Sequence, residues 1–253
     1  VVFVEELDEV PAGGTVVFSA HGVSPAVRAD AVRRGLRVMD ATCPLVTKVH
    51  RQVERHAGRG RHILLIGHAG HDEVIGTMGE APDAITLVTS ARDAETVELP
   101  EGRDLFYVTQ TTLSVDETSE IVEILQRRRP DLSGPAHSDI CYATQNRQDA
   151  VKALLAEGIQ RLLVVGSANS SNSLRLGEVA RLAGVPADLV GGAAELPHAE
   201  LASLHLVGLT AGASAPEYLV QEIVRYFEAA GWRVQPCIVL EEHVKFDLPP
   251  ELS

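Results

Sequence analysis

The run His62-Ile-Leu-Leu-Ile66, continued by Gly67-His-Ala-Gly-His71-Asp-Glu73-Val-Ile-Gly-Thr-Met-Gly79, decides the architecture. Its first five residues are short, mostly aliphatic and read as a buried strand. Glycines then let the backbone turn sharply. Two histidines and a carboxylate follow at the mouth of a helix. A strand that ends in glycine and polar side chains before a helix is the unit from which layered α/β folds are wound. His71 can carry or donate a proton near neutral pH, and Glu73 lies two residues on. A solvated polar loop would look the same in isolation; recurrence of the construction along the chain is what gives it weight.

Upstream, Thr15-Val-Val-Phe18 reads as a strand ending in Ser19-Ala-His21-Gly-Val-Ser24, with a helix from Pro25 capped by Ser24. Leu36-Arg-Val-Met39 is the next strand. Asp40-Ala-Thr-Cys43-Pro44 follows it and opens a helix to about His56. Downstream, strands are expected at Ala84–Val88, Asp104–Val108, Arg161–Val165 and Leu204–Val207. Polar junctions follow three of them: Thr109-Gln-Thr-Thr-Leu-Ser114, Gly166-Ser-Ala-Asn-Ser-Ser-Asn-Ser173 and Gly208-Leu-Thr-Ala-Gly-Ala-Ser214. Ser114 with Glu117, and Ser214 with Glu217, have capping-box spacing. Cys141 opens a helix through about Glu157, and the last helix ends near Gly231. Trp232 to Ser253 is an extended tail in which Pro249 and Pro250 argue against helix. The alternation predicts an α/β fold with largely parallel sheets. Its polar clusters lie at the strand-to-helix junctions where such folds bind ligands. Neither a GxGxxG turn nor a P-loop is present, so a dinucleotide or P-loop nucleotide site is not supported.

The 253 residues suffice for one large or two to three small domains. A formal net charge of -13 argues against nucleic acid and against an anionic membrane as partners. No apolar run reaches spanning length. The first residues, Val1-Val-Phe-Val-Glu-Glu, carry acid where a signal peptide would carry base. The three cysteines, Cys43, Cys141 and Cys237, are far apart with no CxxC, which points to a reducing, cytoplasmic setting.

A weak internal repeat runs through the chain. Cys43, helix, strand, Gly67, His71 parallels Cys141, helix, strand, Gly166, Ser170, and each unit continues to a second polar junction. Ser19–Ser24 resembles that second junction alone. The chain therefore reads as the remainder of one α/β unit (1–43), two whole units (44–137 and 138–226) and a helix end with tail (227–253). βα segments resemble one another generically, which is the competing explanation. On the repeat, the first unit's cysteine is expected roughly fifty residues before Val1. Three pseudo-equivalent domains would then each present one cysteine to a common centre. Three cysteines on a threefold suggest an iron–sulfur cluster with one iron lacking a protein ligand, since four-cysteine ligation is the usual electron-carrier pattern.

Cys43 and Cys141 stand just before helices, and helix N-termini stabilise the ligating thiolate. Small buried hydrophobes are the alternative for both, and packing is the expectation for Cys237. The Gly166–Ser173 stretch offers hydroxyls, amides and free backbone N–H groups at a helix start. That is an anion pocket suited to phosphate without a metal, or else a capping loop with surplus serines. Ser214 offers a further hydroxyl, His21 and His71 can supply positive charge, and Thr111 and Thr112 place hydroxyls at a strand end.

These residues resemble the LytB family of 4-hydroxy-3-methylbut-2-enyl diphosphate reductases. The resemblance is carried in order by Ser-Ala-His21-Gly-Val-Ser, Ala-Thr-Cys43-Pro-Leu-Val, the Gly67–Gly79 stretch and Thr-Gln-Thr111-Thr112-Leu-Ser. It continues through Asp-Ile-Cys141-Tyr-Ala-Thr-Gln-Asn-Arg-Gln, Gly-Ser-Ala-Asn-Ser170-Ser171-Asn172-Ser-Leu-Arg-Leu and Gly-Leu-Thr-Ala-Gly-Ala-Ser214-Ala-Pro-Glu. The tail Glu241-Glu-His-Val-Lys-Phe-Asp-Leu-Pro-Pro-Glu-Leu252 is similar to that family's C-terminus. The resemblance implies a trefoil of three α/β domains around a central 4Fe–4S cluster. It implies the last step of the non-mevalonate (MEP/DOXP) isoprenoid pathway, in which two electrons and two protons remove the allylic hydroxyl as water. The products would be isopentenyl and dimethylallyl diphosphate. It also implies a single-electron donor such as ferredoxin or flavodoxin.

By the same resemblance, Cys43 and Cys141 match two of three cluster ligands. His21, His71, Ser170, Ser171, Asn172 and Ser214 match positions that hold the diphosphate or line its pocket. Thr111 matches the threonine near the substrate hydroxyl, with Thr112 beside it, and Glu73 matches the carboxylate that delivers protons. The family's first cluster cysteine and another diphosphate-binding histidine lie in a segment that this sequence does not contain, so an N-terminally truncated chain is expected. Two rival readings stay open: a non-catalytic diphosphate-binding fragment or degenerate paralogue, and a metal hydrolase built on His68, His71 and Glu73.

Overall fold

The computed structural model describes residues 1–240 together with Val244 and Phe246. The expected likeness of the tail from Glu241 to Leu252, Pro249 and Pro250 included, lies outside the described residues except at those two positions. The chain divides into two compact units. One is built mainly from Val1–Thr111 and Asp116–Asp139, the other from Thr112–Val115 and, among the described residues, 140–240.

The first unit holds two parallel sheets. Strands β1 (Thr15–Phe18) and β2 (Arg37–Asp40) pair through the crossover helix α1 (Pro25–Arg33). Phe18, Ala31 and Leu36 form their buried core, and Ser24 caps α1 by accepting from the Val27 N–H. Helix α2 (Pro44–Ala57) leads to β3 (His62–Ile66), α3 (Asp72–Met78), β4 (Ile85–Val88), α4 (Ala91–Thr96), β5 (Leu105–Thr109) and α5 (Val115–Arg128). The strand order is β4-β3-β5, all parallel. β3 is central because it is buried along its whole length, as its aliphatic run requires. Val49 and Val53 of α2 and Val74 of α3 pack on Ile63, Leu65, Phe106 and Val108.

The second unit repeats this plan. Helix α6 (Tyr142–Ala156) is followed by β6 (Arg161–Val165), α7 (Ser171–Leu182), β7 (Ala187–Val190), α8 (His198–Leu201), β8 (Val207–Ala211) and α9 (Glu217–Ala229), with strand order β7-β6-β8. Alternate residues of β6 feed opposite faces, as a strand covered on both sides must. Leu163 and Val165 pack with Ile223 and Phe227, whereas Leu162 and Val164 pack with Val151, Leu176 and Ala180. Among the described residues no helix is long and apolar enough to cross a membrane.

Three expectations shift. The strand expected at Leu204–Val207 begins only at Val207, because the His205 and Leu206 N–H groups both donate to the Gln160 side chain at 2.7 and 3.1 Å before pairing with β6 starts. The Ser214–Glu217 capping box is absent: α9 starts at Glu217 with Pro216 at its cap, since a residue preceding proline is pushed away from helical geometry. Cys237 is exposed rather than packed.

Candidate functional site

In the first unit the strand-end glycine sets the geometry. A Cβ on Gly67 would meet a Val74 methyl carbon at 2.7 Å, so only glycine lets the start of α3 settle against the end of β3. His71 caps α3, its Nδ1 accepting from the Glu73 N–H at 3.1 Å. An accepting Nδ1 carries no proton, so the neutral ring's proton sits on Nε2, where it can be donated. Burial, then the neighbouring His21, hold the His71 titration below the ordinary imidazole value; Asp72 opposes them and His68 adds to them. The two rings meet edge-on at 5.2 Å, and His21 Nδ1 lies 3.5 Å from an Asp72 carboxylate oxygen. His71 is therefore a neutral hydrogen-bond donor here, which revises the expectation that it supplies positive charge.

Glu73 is turned inward and buried. The Thr111 N–H donates to Oε1 at 2.6 Å and the Thr111 hydroxyl to Oε2 at 3.0 Å. Burial pushes its pKa up to about 7; the two Thr111 hydrogen bonds oppose this and the charge of Asp139 adds to it. A carboxyl in that range can hold a proton at neutral pH and give it up. Thr111 reaches this place because Gln110, fully buried, extends the β5 ladder through its N–H to the Ile66 carbonyl at 2.8 Å. The Gln110 side-chain oxygen also accepts from the His68 N–H at 3.0 Å. The sequence pattern assigned no role to Gln110 or Asp139.

In the second unit the start of α7 is built on the same frame. A Cβ on Gly166 or on Gly212 would lie within about 2.2 Å of the Ser173 hydroxyl, so both glycines are needed for the loops after β6 and β8 to close on the helix start. Ser170 caps α7, accepting from the Ser173 N–H at 3.3 Å and from the Ser173 hydroxyl at 3.0 Å. Thr112 donates its hydroxyl to Ser171 at 3.1 Å. Asn172 is buried, and neither its carboxamide oxygen nor its nitrogen has a hydrogen-bond partner among the described residues. Leaving such a group unpaired costs about 1–3 kcal/mol. The helix start also presents the positive end of its dipole, so the arrangement suits an anion. Ser214 lies exposed on the loop after β8, two residues before the cap of α9, and is not itself a cap.

Cys43 and Cys141 occupy equivalent places, each at the cap of its helix with nearly the same backbone (φ -57°, ψ 134° and φ -61°, ψ 133°). Neither thiol makes a capping hydrogen bond, both are free and both are half-buried. A cap position occupied by a side chain that does not cap is open for other use, and free thiols placed this way fit ligation of a soft metal centre. Among the described residues no three His, Cys, Asp or Glu side chains group as a metal-holding set. The hydrolase reading built on His68, His71 and Glu73 loses its carboxylate, because both Glu73 oxygens are held by Thr111.

The family model "LytB protein" matches residues 1–228. The chain is 55% identical to the 4-hydroxy-3-methylbut-2-enyl diphosphate reductase of Azoarcus sp. (strain BH72), covering all of this chain and 81% of that protein. It is 53% identical to the reductase of the same name from Methylococcus capsulatus, covering 99% and 81%. Among solved structures, the E-1-hydroxy-2-methyl-but-2-enyl-4-diphosphate reductase from Plasmodium falciparum superposes with a TM-score of 0.94 at 37% identity, covering 99% of this chain and 80% of that one.

Proposed function

The chain belongs to the LytB protein family, and from that premise we propose that it carries out the reductive dehydroxylation of 4-hydroxy-3-methylbut-2-enyl diphosphate. The allylic C–O bond breaks and the hydroxyl leaves as water with one proton. Two electrons and a second proton complete isopentenyl or dimethylallyl diphosphate, the end of the non-mevalonate pathway to isoprenoids. The observation that carries the residue-level reading is Glu73, a buried carboxyl held through both oxygens by Thr111 with its pKa pushed up to about 7.

Glu73 is the proton donor, and Thr111 fixes its two oxygens and offers a hydroxyl to the substrate oxygen. His71 donates from Nε2 to a phosphate oxygen, with His21 beside it. In the second unit Ser170, Ser171, Asn172, Ser214 and Thr112 form the anion-binding face. Asn172 gains there the partners it lacks in the free protein. Cys43 and Cys141 would supply two of the three thiolates expected to hold a 4Fe–4S cluster, which when bound would supply electrons and Lewis-acid chemistry. The trefoil of three domains, a cytoplasmic setting and an electron donor such as ferredoxin or flavodoxin complete the proposal. Its support is three parallel sheets, with Cys43 and Cys141 at equivalent helix caps in two of the repeated units.

Anaerobic turnover tests the reaction: protein extended upstream to carry the third expected cluster cysteine, cluster-loaded and given a chemical reductant, should convert the substrate to the two isomeric diphosphates. Substrate recovered unchanged would overturn the assignment. The anion face makes a separate prediction. Inorganic diphosphate should bind in chelator as well as it does in magnesium, because hydroxyls, an amide and helix N–H groups bind the anion without a bridging cation. Calorimetry in the two buffers checks this, and heat seen only with magnesium would refute it.

A further inference from the structure

Asp139 lies within the first unit, and its side chain is completely buried. Its Oδ1 accepts from Gln52 Nε2 at 2.8 Å and pairs with Lys48 Nζ at 3.0 Å, both on α2. Its Oδ2 lies 3.4 Å from the Thr109 N–H, at the last residue of β5. Two residues further along the chain, Thr111 donates twice to Glu73. A buried carboxylate is expensive unless paired and hydrogen-bonded, and this one has its partners at the two places that support the proton donor from behind.

We propose that Asp139 is a positioning residue for the reaction: it ties the end of β5 to α2 and so fixes the threonine that holds Glu73. The proposal rests on the reading of Glu73 as proton donor. It has an electrostatic corollary. Asp139 is the negative charge that opposes ionisation of Glu73, and it acts likewise on the Tyr107 phenol of β5. Lys48 offsets that charge in part. The remaining titratable groups around the start of α3 are His71 and Asp72 on the helix itself, His68 in the preceding loop and His21 in the β1–α1 loop. These stay the same when Asp139 or Lys48 is changed.

Asp139 and Lys48 should therefore act on Glu73 with opposite sign. Removing the Asp139 charge makes Glu73 easier to ionise; removing Lys48 leaves Asp139 uncompensated and makes it harder. The experiment uses Asp139→Asn and Lys48→Met in the holoprotein. It records kcat and KM against pH and, without turnover, the protonated-carboxyl infrared band that Glu73→Gln abolishes. The pH at which kcat falls and the band disappears should move down in Asp139→Asn and up in Lys48→Met, with KM for the diphosphate substrate unchanged. A role confined to stability would move both variants the same way or neither, and either outcome overturns the proposal. If Asp139→Asn does not fold, Lys48→Met decides alone: an unmoved or lowered midpoint is fatal. Shifted infrared midpoints in a protein that never turns over the substrate would overturn the assigned reaction while supporting the positioning role. Normal turnover with unmoved midpoints would do the reverse.

Discussion

Glu73→Gln is expected to lower kcat by about a hundredfold or more, the usual value of a single positioned proton donor, while substrate KM and cluster content are retained. Gln reproduces the protonated carboxyl: its oxygen accepts from the Thr111 N–H, and its amide donates to the Thr111 hydroxyl in place of the lost O–H. Only the transferable proton is removed. In the unaltered protein the donor must be protonated, so kcat should be flat in acid and fall as pH rises through about 7. The same titration affects stability. The folded state keeps Glu73 neutral above the ordinary carboxyl value of 4.5, so that the full stability is present below 4.5 and is lost progressively up to about 7. A shift of that size is worth roughly 3 kcal/mol. Glu73→Gln should thus melt at a higher temperature than the parent at pH 8 and at the same temperature at pH 4. Undiminished kcat in an anaerobic assay with a chemical reductant would remove Glu73 as the donor.

Asn172→Ala should weaken diphosphate binding roughly tenfold to a hundredfold, the value of hydrogen bonds to a charged group at about 1.5–3 kcal/mol. Unlike most buried polar truncations, it should not destabilise the free protein. The carboxamide has no partner there to lose, and its removal relieves an unpaired buried donor and acceptor. Calorimetry for affinity and a thermal melt without ligand give the two readouts. Lost stability at unchanged affinity would identify Asn172 as a structural residue and not a ligand-binding one.

The central strands were legible because a buried parallel strand must be aliphatic throughout; His62–Ile66 and Arg161–Val165 fall where the sequence placed them. The helix starts at His71 and Ser170 were legible for a similar local reason, glycine followed by side chains able to cap. β7 was not, since Ala187-Asp-Leu-Val190 offers neither an aliphatic run nor a clear alternation. The start of β8 was misplaced because a side chain distant in sequence, Gln160, takes the N–H groups that would have extended it. The support of the candidate site was the least legible part. Glu73 meets Thr111 across 38 residues, and Asp139 meets Gln52 across 87. No periodicity or motif spacing encodes such meetings; they exist only once two elements have packed.

The frames of the two three-stranded sheets correspond residue for residue. Gly67 and Gly166 each donate to the last residue of the neighbouring strand, His71 and Ser170 each donate back to the residue three before, and both cap the helix that follows. Counting on, the second helical residue is Glu73 in one sheet and Asn172 in the other, and both are buried. One socket has thus been used twice, presenting an ionisable acid in one copy and a neutral amide in the other. The repeated frame is the scaffold, and on the proposed roles the division of labour between proton delivery and anion recognition comes down to what each sheet carries at that one position. For an engineer, the second residue of such a helix is the place where a side chain can be exchanged to change the chemistry while the strand, the glycine and the cap stay as they are.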